Sequence, residues 1–568
     1  MPVDFRFAKL SIRGFRGIRD LDVNLPMDKP LHLIGGNNSG KSTVLEAMAL
    51  VLRDGSFHQF APDAFDFFHD TTGKPVTEFT VTLHFHADDE SHLPAVQGVG
   101  PPIPVHGIQV KGTTDKKGYF NHRHVLLDEK DEAILVSSRT SLQREQREMY
   151  KGRPNVGWRP RYARLDDIRN EMPDVWLLTP QNLQRSLYER KTGPLQRLSR
   201  MLAKHFLEEI WEFEHDGEPH PMPDTLVKTH RLFQKSVEAS PFWKNDLKPK
   251  SQDTLSQYVG AQAQFMLCPD VHEVEEWLTQ QLAVSFAADA GGATTPLKSM
   301  GDGWQSLVRL AALDALSQYP VQVADRVVLL VEEPETHLHP HLRRKMRGVL
   351  ELLADRGWTV LTATHGPEFI SFDKPQVVMK FWRKGDNVTG GVFDTGKASS
   401  AVKFQEKLNE HGNHEMLFAQ RILLCEGKGD FWALRSGLSK LDPTLDLDAR
   451  SVSLVDAGSA QNLSDYANIA MSLKIPWCVI TDEDKLPNGS INSKTEKFRR
   501  KVESVRSQED LSISCPGKLE ACLGVPDGRK AKLEWQTENI DPKPLERMEE
   551  DHSDFMGVCN TVYQWLCQ

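Results

Sequence analysis

The stretch LHLIGGNNSGKS, residues 31–42, limits what this chain can fold into more than any other. An apolar, strand-like lead runs into G-x-x-x-x-G-K-S, with Gly35, Gly40, Lys41 and Ser42, and then into the helix-forming run TVLEAMALVL. A loop that cradles phosphate needs that order. Glycines let successive backbone N–H groups turn toward one phosphate, and the start of a helix adds positive potential. Lys41 is placed to reach the terminal phosphates and Ser42 to hold Mg²⁺, while Asn38 and Thr43 stand within and just beyond the loop as further nucleotide contacts.

A chain of 568 residues has room for three or four domains, each with its own core. It has no long uninterrupted apolar run, and its start, MPVDFRFAKL, lacks a signal-peptide core, so no membrane segment and a cytoplasmic location are expected. The seven cysteines are scattered, odd in number and without a C-x-x-C pair, which predicts reduced thiols and no zinc site. A net charge of -10 excludes a polycation that coats nucleic acid, so any DNA contact must use a local patch. Two basic runs qualify, one from Arg139 to Arg169 and the other Lys494, Lys497, Arg499, Arg500 and Lys501, although such runs are more often simply solvated faces.

Taken in order, FAKLSIRGFRGIRDLDVNL predicts strand, turn, strand ahead of the phosphate loop. Phe79, Val81, Leu83 and Phe85 keep period two, and GIQVKG, HVLLDE and AILVSS continue an antiparallel β-lobe. From about residue 166 to 290 the pattern is helical, with Leu195, Leu198, Leu202, Phe206, Ile210 and Phe213 forming one apolar stripe, and EHDGEPHPMP (214–223) as a loop. The stripe fits intramolecular core or a dimer face equally well. RVVLLVEEPE and WTVLTATHG then restore parallel α/β character, each ending in acid or histidine, where open α/β sheets place ligands. Beyond residue 404, RILLCEGKGDFWALRSGL, SVSLVDAGSAQNL and PWCVITDEDK predict a further α/β domain to residue 568.

Four pieces combine with the phosphate loop. Glu332 can hold Mg²⁺ through water, Glu333 can orient or deprotonate the attacking water, and His365 can contact the terminal phosphate. The glycine turn SMGDGWQ, with Ser299 and Gly301, can offer N–H groups to a phosphate from outside the loop that binds it. These residues resemble the ATP-binding-cassette class, with Glu332 and Glu333 at the Walker B end, Ser299 to Gln305 as a divergent signature, Glu335 to His339 as the D-loop region and His365 as the switch histidine. The resemblance implies ATP as cofactor and two heads sandwiching two nucleotides, hence a homodimer or a tetramer built from dimers. Two departures, Glu332 where most cassettes have Asp and the divergent signature, imply slow turnover or use of ATP as a clamp. His337, His339 and His341 suggest a metal, but with no Cys partner and no H-E-x-x-H spacing, structural roles are expected. The split arrangement is closer to SMC and RecF ATPases than to transporters.

A second constellation lies downstream. Glu426 ends one strand and with Asp430 forms E-G-x-x-D, Asp482 and Asp484 end another as D-x-D, and Glu520 follows in GKLEACL. Carboxylates gathered at strand ends repel one another unless cations sit between them, and oxygen-only ligands suit Mg²⁺ or Mn²⁺. The pattern matches that of Toprim domains. A split cassette head followed by a Toprim domain resembles the OLD (overcoming lysogenisation defect) family of ATP-dependent nucleases over nearly the whole chain.

That resemblance implies four parts: an ATPase N-terminal part with β-lobe (1–165), a helical dimerisation insertion (166–290), an ATPase C-terminal part (291–400) and a Toprim nuclease (404–568). It also implies a DNA endonuclease gated by ATP and acting in antiphage defence, with a defence-system protein or nucleic acid as a further partner. Glu426 would be the pivotal metal ligand or base, Asp430, Asp482 and Asp484 metal ligands, Glu520 the acid of a second metal site, and Lys530 the charge-stabilising lysine, with Lys532 and Lys543 as alternatives. The competing reading is an SMC- or RecF-like ATPase sensor or scaffold whose Toprim domain binds nucleic acid without cutting it.

Overall fold

In this computed structural model the described residues are 5–52, 62–137, 160–180, 327–397 and 412–482 apart from short breaks, then 492–515 and 553–567, with scattered short stretches between 211 and 314 and at Leu408. They divide into two compact units, one formed by residues 1–177 and 321–568, the other by 178–320.

The first unit opens with β1 (Arg6–Phe15), β2 (Ile18–Asn24), β3 (Leu31–Gly35) and α1 (Lys41–Leu52), followed by β4 (Glu78–His86), β5 (Gly107–Thr114) and β6 (Phe120–Leu127). An antiparallel sheet in the order β2-β1-β4-β5-β6 forms the expected β-lobe. Phe79, Val81, Leu83 and Phe85 are all buried on one face of β4, as their period of two dictates.

The second sheet gathers β7 (Asp174–Leu178), β8 (Val327–Glu332), β9 (Thr359–Ala363), β10 (Val377–Lys384) and β11 (Asn387–Asp394) around β3, in the order β7-β8-β9-β3-β10-β11. β8, β9, β3 and β10 are parallel, and α2 (Pro340–Asp355) connects β8 to β9. Val327 to Val331 are buried without alternation because both faces of a parallel sheet are covered. α1 is apolar nearly all round and lies between the two sheets, where Val44, Leu45 and Met48 share one core with residues of both. The phosphate loop is therefore anchored by the most deeply buried helix of this unit.

The part expected to be a Toprim domain contains β12 (Arg421–Cys425), α3 (Lys428–Leu441), β13 (Val452–Asp456), α4 (Ala460–Ser472), β14 (Trp477–Asp482), α5 (Ser493–Glu503), β15 (Leu511–Cys515) and α6 (Ser553–Cys567). Its four strands are all parallel, in the order β13-β12-β14-β15. α3 and α6 cover one face through Leu434, Leu438, Phe555 and Val562. The other face shares a core with the ATPase sheet, since Ile34, Ile370 and Val378 pack into the same cluster as Met416, Leu417, Tyr466 and Leu473.

Two close contacts reinforce this seam. Lys380 on β10 is buried, and its ammonium donates to the carbonyls of Leu417, at 3.1 Å, and Ala419. Burial pulls its pKa down to about 7. Gly391 on β11 lies so near Leu473 that a Cβ there would stand 2.4 Å from the Leu473 carbonyl carbon.

The second unit corrects one expectation. Phe213, assigned above to a helical stripe, lies on the strand Trp211–His215, which pairs antiparallel with Glu218–Met222, inside the segment expected as a loop. The run WEFEH alternates with period two, and among the described residues the strand carrying Pro219 and Pro221 has one ladder partner, so their missing N–H groups face away from it. The remainder of the helical stripe, Leu195 to Ile210, lies outside the described residues. Among the described residues no helix is long and apolar enough to cross a membrane.

The seam yields a prediction. Gly391→Ala forces a methyl into backbone, and overpacking of this kind costs about 1–3 kcal/mol. Differential scanning fluorimetry should show a lower melting temperature than wild type, whereas Gly348→Ala, inside α2 where a Cβ meets nothing within 4 Å, should not lower it.

Candidate functional site

The phosphate loop is held by neighbours that local sequence does not reveal. Gly35 has φ +141°, and a Cβ there would lie 2.4 Å from the Phe381 carbonyl oxygen, so only glycine permits β3 to leave the sheet at this point. Asn38 adopts φ +59°, and its carbonyl accepts from the Arg383 guanidinium at 3.0 Å. The same guanidinium donates to Gly17 O at 2.9 Å, tying the loop to the turn between β1 and β2. Lys41 donates to Gly35 O and Gly36 O at 3.0 and 2.9 Å, which aims its ammonium across the mouth of the loop.

Asn38, Lys41, Ser42, Glu332, Glu333 and His365 line a single cavity of about 120 Å³. This volume suits the phosphate end of a nucleotide. A wider depression of about 650 Å³, lined by Arg16, Gly17, Phe65 and Arg383, shares Asn38 with it. Arg16 is fixed there by Asp66, at 3.0 Å, and by Glu46.

Topology explains the convergence. β9 lies between β8 and β3, so the carboxyl ends leading to Glu332 and His365 stand in turn beside the loop on one side of β3. The Ser42 hydroxyl bonds the Glu332 carboxylate, whose pKa is raised by burial first and by Glu46 and Glu333 next, opposed by Ser42 and Lys41. Burial likewise lowers the Lys41 pKa against the attraction of Glu333, Glu335 and Glu332. A Mg²⁺-nucleotide suits this set, because it brings phosphate to Lys41 and a cation to Glu332 and Ser42. Glu333 has left the strand at φ +46°, an expensive backbone for a residue with a side chain, and its N–H donates to Ala363 O at 2.7 Å.

Glu335 has a more definite position than its place in the D-loop region suggested. One carboxylate oxygen accepts from Thr364 Oγ1 and the other from the His365 backbone N–H, each at 2.7 Å. This clamp sets the switch segment, and the Gly366 N–H donates to Thr364 Oγ1 at 2.9 Å. Burial, then Lys41, lowers the His365 pKa, against the pull of Glu335 and Glu333. Thr43 follows Ser42 in the first turn of α1. Gly301 is exposed and belongs to the second unit, and Ser299 lies outside the described residues. The Arg344 guanidinium meets His341 Nδ1 at 2.6 Å, and His339 stacks on His341.

In the Toprim sheet, Glu426 follows β12 and Asp482 ends the neighbouring β14. Glu426 Oε1 accepts the Asp482 backbone N–H at 3.2 Å, so the two acids stand side by side. Asp430, in the first turn of α3, accepts the Gly427 N–H at 3.1 Å and bends back toward the same strand end. Asp456 ends β13 on the other flank, with its Oδ1 accepting the Gly458 N–H at 2.9 Å.

The buried thiol of Cys425 registers this charge. Its pKa is pushed well up, by burial first, then by Asp430, Cys478 and Asp456. Carboxylate oxygens gathered at parallel strand ends are the donor set for a hard divalent cation. Among the described residues no three such side chains close on one point, while Asp484, Glu520, Lys530, Lys532 and Lys543 lie outside them.

The sequence matches known families in three places. Residues 417–484 match the Overcoming lysogenization defect protein-like TOPRIM domain, residues 7–153 an AAA ATPase domain and residues 210–371 a further AAA domain. An OLD nuclease of Thermus scotoductus is 24% identical over 546 residues, covering 91% of this chain and 88% of that one. The Old nuclease of Escherichia phage P2 is 20% identical over 201 residues, 34% of each chain. Among solved structures, the Smc head domain of Pyrococcus furiosus with an extended coiled coil aligns over 72% of this chain and 100% of its own, at 11% identity and a TM-score of 0.38. The SMC head of Thermotoga maritima aligns over 68% and 98%, at 12% identity and a TM-score of 0.30.

The Glu335 clamp leads to a test. Glu335→Ala releases Thr364 and His365 without touching the phosphate loop. Nucleotide affinity should stay within about threefold of wild type while single-turnover ATP hydrolysis falls about 10- to 100-fold, the usual cost of losing a group that orients a site residue.

Proposed function

We propose that this chain, in which an AAA-type ATPase part is followed by an OLD-like Toprim domain, is an OLD-type, divalent-metal-dependent DNA endonuclease regulated by ATP. The observation that carries this reading is the carboxylate pair Glu426 and Asp482, joined at adjacent strand ends with Asp430 bent toward them. Glu426, Asp430 and Asp482 would hold the metal, joined by Asp484 and Glu520 from segments beyond the described residues. A divalent ion in such a site neutralises the attacked phosphate and lowers the pKa of a bound water.

The protein's own part is to fix these acids. The Asp482 N–H orients Glu426, the Gly427 N–H orients Asp430, and the Arg499 guanidinium steadies the end of β14 by donating to Asp482 O at 3.2 Å and Thr481 Oγ1 at 3.3 Å. Lys530 is our candidate for stabilising charge at the cleaved phosphate. A homodimer or dimer-based tetramer, Mg²⁺ or Mn²⁺ as the metal, and a setting in antiphage defence complete the reading, supported by the family resemblance.

A continuous run of contacts supports regulation by nucleotide. Beyond His365 the chain makes the 3₁₀ turn Pro367–Phe369, held by Arg343 on Glu368 Oε1 at 3.3 Å and Arg347 on Glu368 O at 3.2 Å. This turn packs against a second 3₁₀ turn, Asn413–Leu417, which leads into β12. From there the Asn413 side-chain amide donates to Asp456 O at 2.6 Å and to the Tyr466 hydroxyl at 3.0 Å. The Ala457 N–H in turn donates to Cys425 O at 2.9 Å, one residue from Glu426. A displacement of the switch segment by the terminal phosphate therefore has a packed route to the carboxylates.

Plasmid incubated with Mg²⁺ or Mn²⁺ should be nicked or cut by wild type and left intact by Glu426→Ala and by Asp482→Ala. Binding without any Glu426-dependent cleavage would establish the scaffold reading instead. Cleavage by wild type should differ between ATP and ADP, and Lys41→Ala should remove that difference. Asn413→Ala should preserve both nucleotide binding and basal cleavage within about threefold while shrinking the ATP-to-ADP difference. A full nucleotide response in Asn413→Ala would break the proposed route.

A further inference from the structure

α5 is the most basic helix beside the carboxylates, and the nuclease reading alone assigns it nothing. It has two sides. Val502 is buried and Phe498 half-buried on the side that packs against α4, while Lys497, Arg500 and Lys501 are exposed on the other. Ser493, Glu496, Lys497, Arg500, Lys501 and Ser504 line a surface depression of about 370 Å³ on that outer side.

The two acids of α5 are spoken for. Glu496 pairs with Arg500 at 2.6 Å, and Glu503 with Arg506 at 3.3 Å. Both pairs are solvent-exposed and so contribute little to holding the helix. Among the described residues neither Lys497 nor Lys501 has an acidic partner. Positive charge on this face is therefore not neutralised locally, in a chain whose net charge is -10.

Position separates this face from an ordinary solvated one. Arg499, midway along α5, reaches inward to Asp482 O and Thr481 Oγ1, which fixes the helix to the strand end that carries a candidate metal ligand. Lys497 and Lys501, one turn apart, are displaced by about 6 Å along the helix axis. That is close to two successive phosphate steps of duplex DNA, at about 3.4 Å per strand along its axis.

We propose that the outer face of α5, centred on Lys497 and Lys501, is the track that holds the phosphodiester backbone of DNA beside the Glu426 and Asp482 strand ends. The inference rests on the nuclease reading and adds the surface by which substrate is held. Charge complementarity carries it: a polyanion approaching an acidic protein meets here unpaired ammonium groups, a concave surface and a rigid link to the carboxylates. Contacts of this kind position DNA and contribute to affinity without reading sequence.

The test is a fluorescence-anisotropy titration of a DNA duplex with full-length protein, with Ca²⁺ in place of Mg²⁺ to hold off cleavage, between about 50 and 200 mM salt. For the double substitution Lys497→Gln and Lys501→Gln, the slope of log K against log salt should become shallower by about 2, since each lost phosphate contact removes about 0.9. Plasmid cleavage should fall with the lost affinity, while ATP binding and melting temperature stay at wild-type values. Lys497→Arg with Lys501→Arg should restore the slope. An unchanged slope in the glutamine variant, with wild type still cutting in a Glu426-dependent manner, would overturn this inference and leave the nuclease reading standing. Absence of both salt-dependent binding and cleavage in wild type would overturn the two together.

Discussion

β10 touches both candidate sites' surroundings within the four residues Lys380 to Arg383. The Phe381 carbonyl sits against Gly35 so closely that no side chain fits between them. Arg383, two residues on, grips the phosphate loop at Asn38. Lys380, one residue before Phe381, sends a buried ammonium across the seam to the backbone just ahead of β12. A strand hydrogen-bonded to the loop strand on one side cannot shift without carrying its side chains with it. The nucleotide pocket and the carboxylate sheet are therefore built on one stiff element, and the shared apolar cluster around Ile34, Val378 and Leu473 leaves little slack between them.

The two candidate sites share a physical plan. Each stands at the carboxyl ends of parallel strands, where the strands' side chains and following turns project into a common crevice. In the first sheet, Glu332, Glu333 and His365 surround Lys41, so negative charge is arranged about a cation already present. In the second, Glu426 and Asp482 stand at adjacent strand ends, with Asp430 in the following helix turn and Asp456 ending the strand on the other flank. One arrangement suits a metal already bound to a phosphate chain. The other supplies carboxylates that are proposed above to hold a metal directly.

Local pattern was enough for much of this. The loop, the strand-ending acids and the histidine were legible because each rests on short-range rules: glycine where φ must be positive, an apolar run of strand length, a carboxylate where it stops. Less was legible where partners are remote in sequence. Glu335 looked like one acid among three, and nothing in EEPETH says that it clamps Thr364 and His365. Arg383 and Asn413 gave no signal, because their contacts lie 345 and 43 residues away. Phe213 was misassigned because apolar residues at helical spacing on one side outweighed the five-residue alternation that forms a strand.

By itself the sequence determined that a nucleotide loop, a histidine-ended strand and three acid-ended strands exist, and in what order, since hydrophobic period and glycine placement act over a few residues. Only the tertiary structure decided which of them meet. Strand order in a sheet depends on crossover and packing between distant segments, and this put β9 beside β3, Asp482 against Glu426 and α5 against β14. The α5 basic run illustrates the difference: its composition was plain from the start, yet its significance depends on Arg499 reaching the backbone of Asp482.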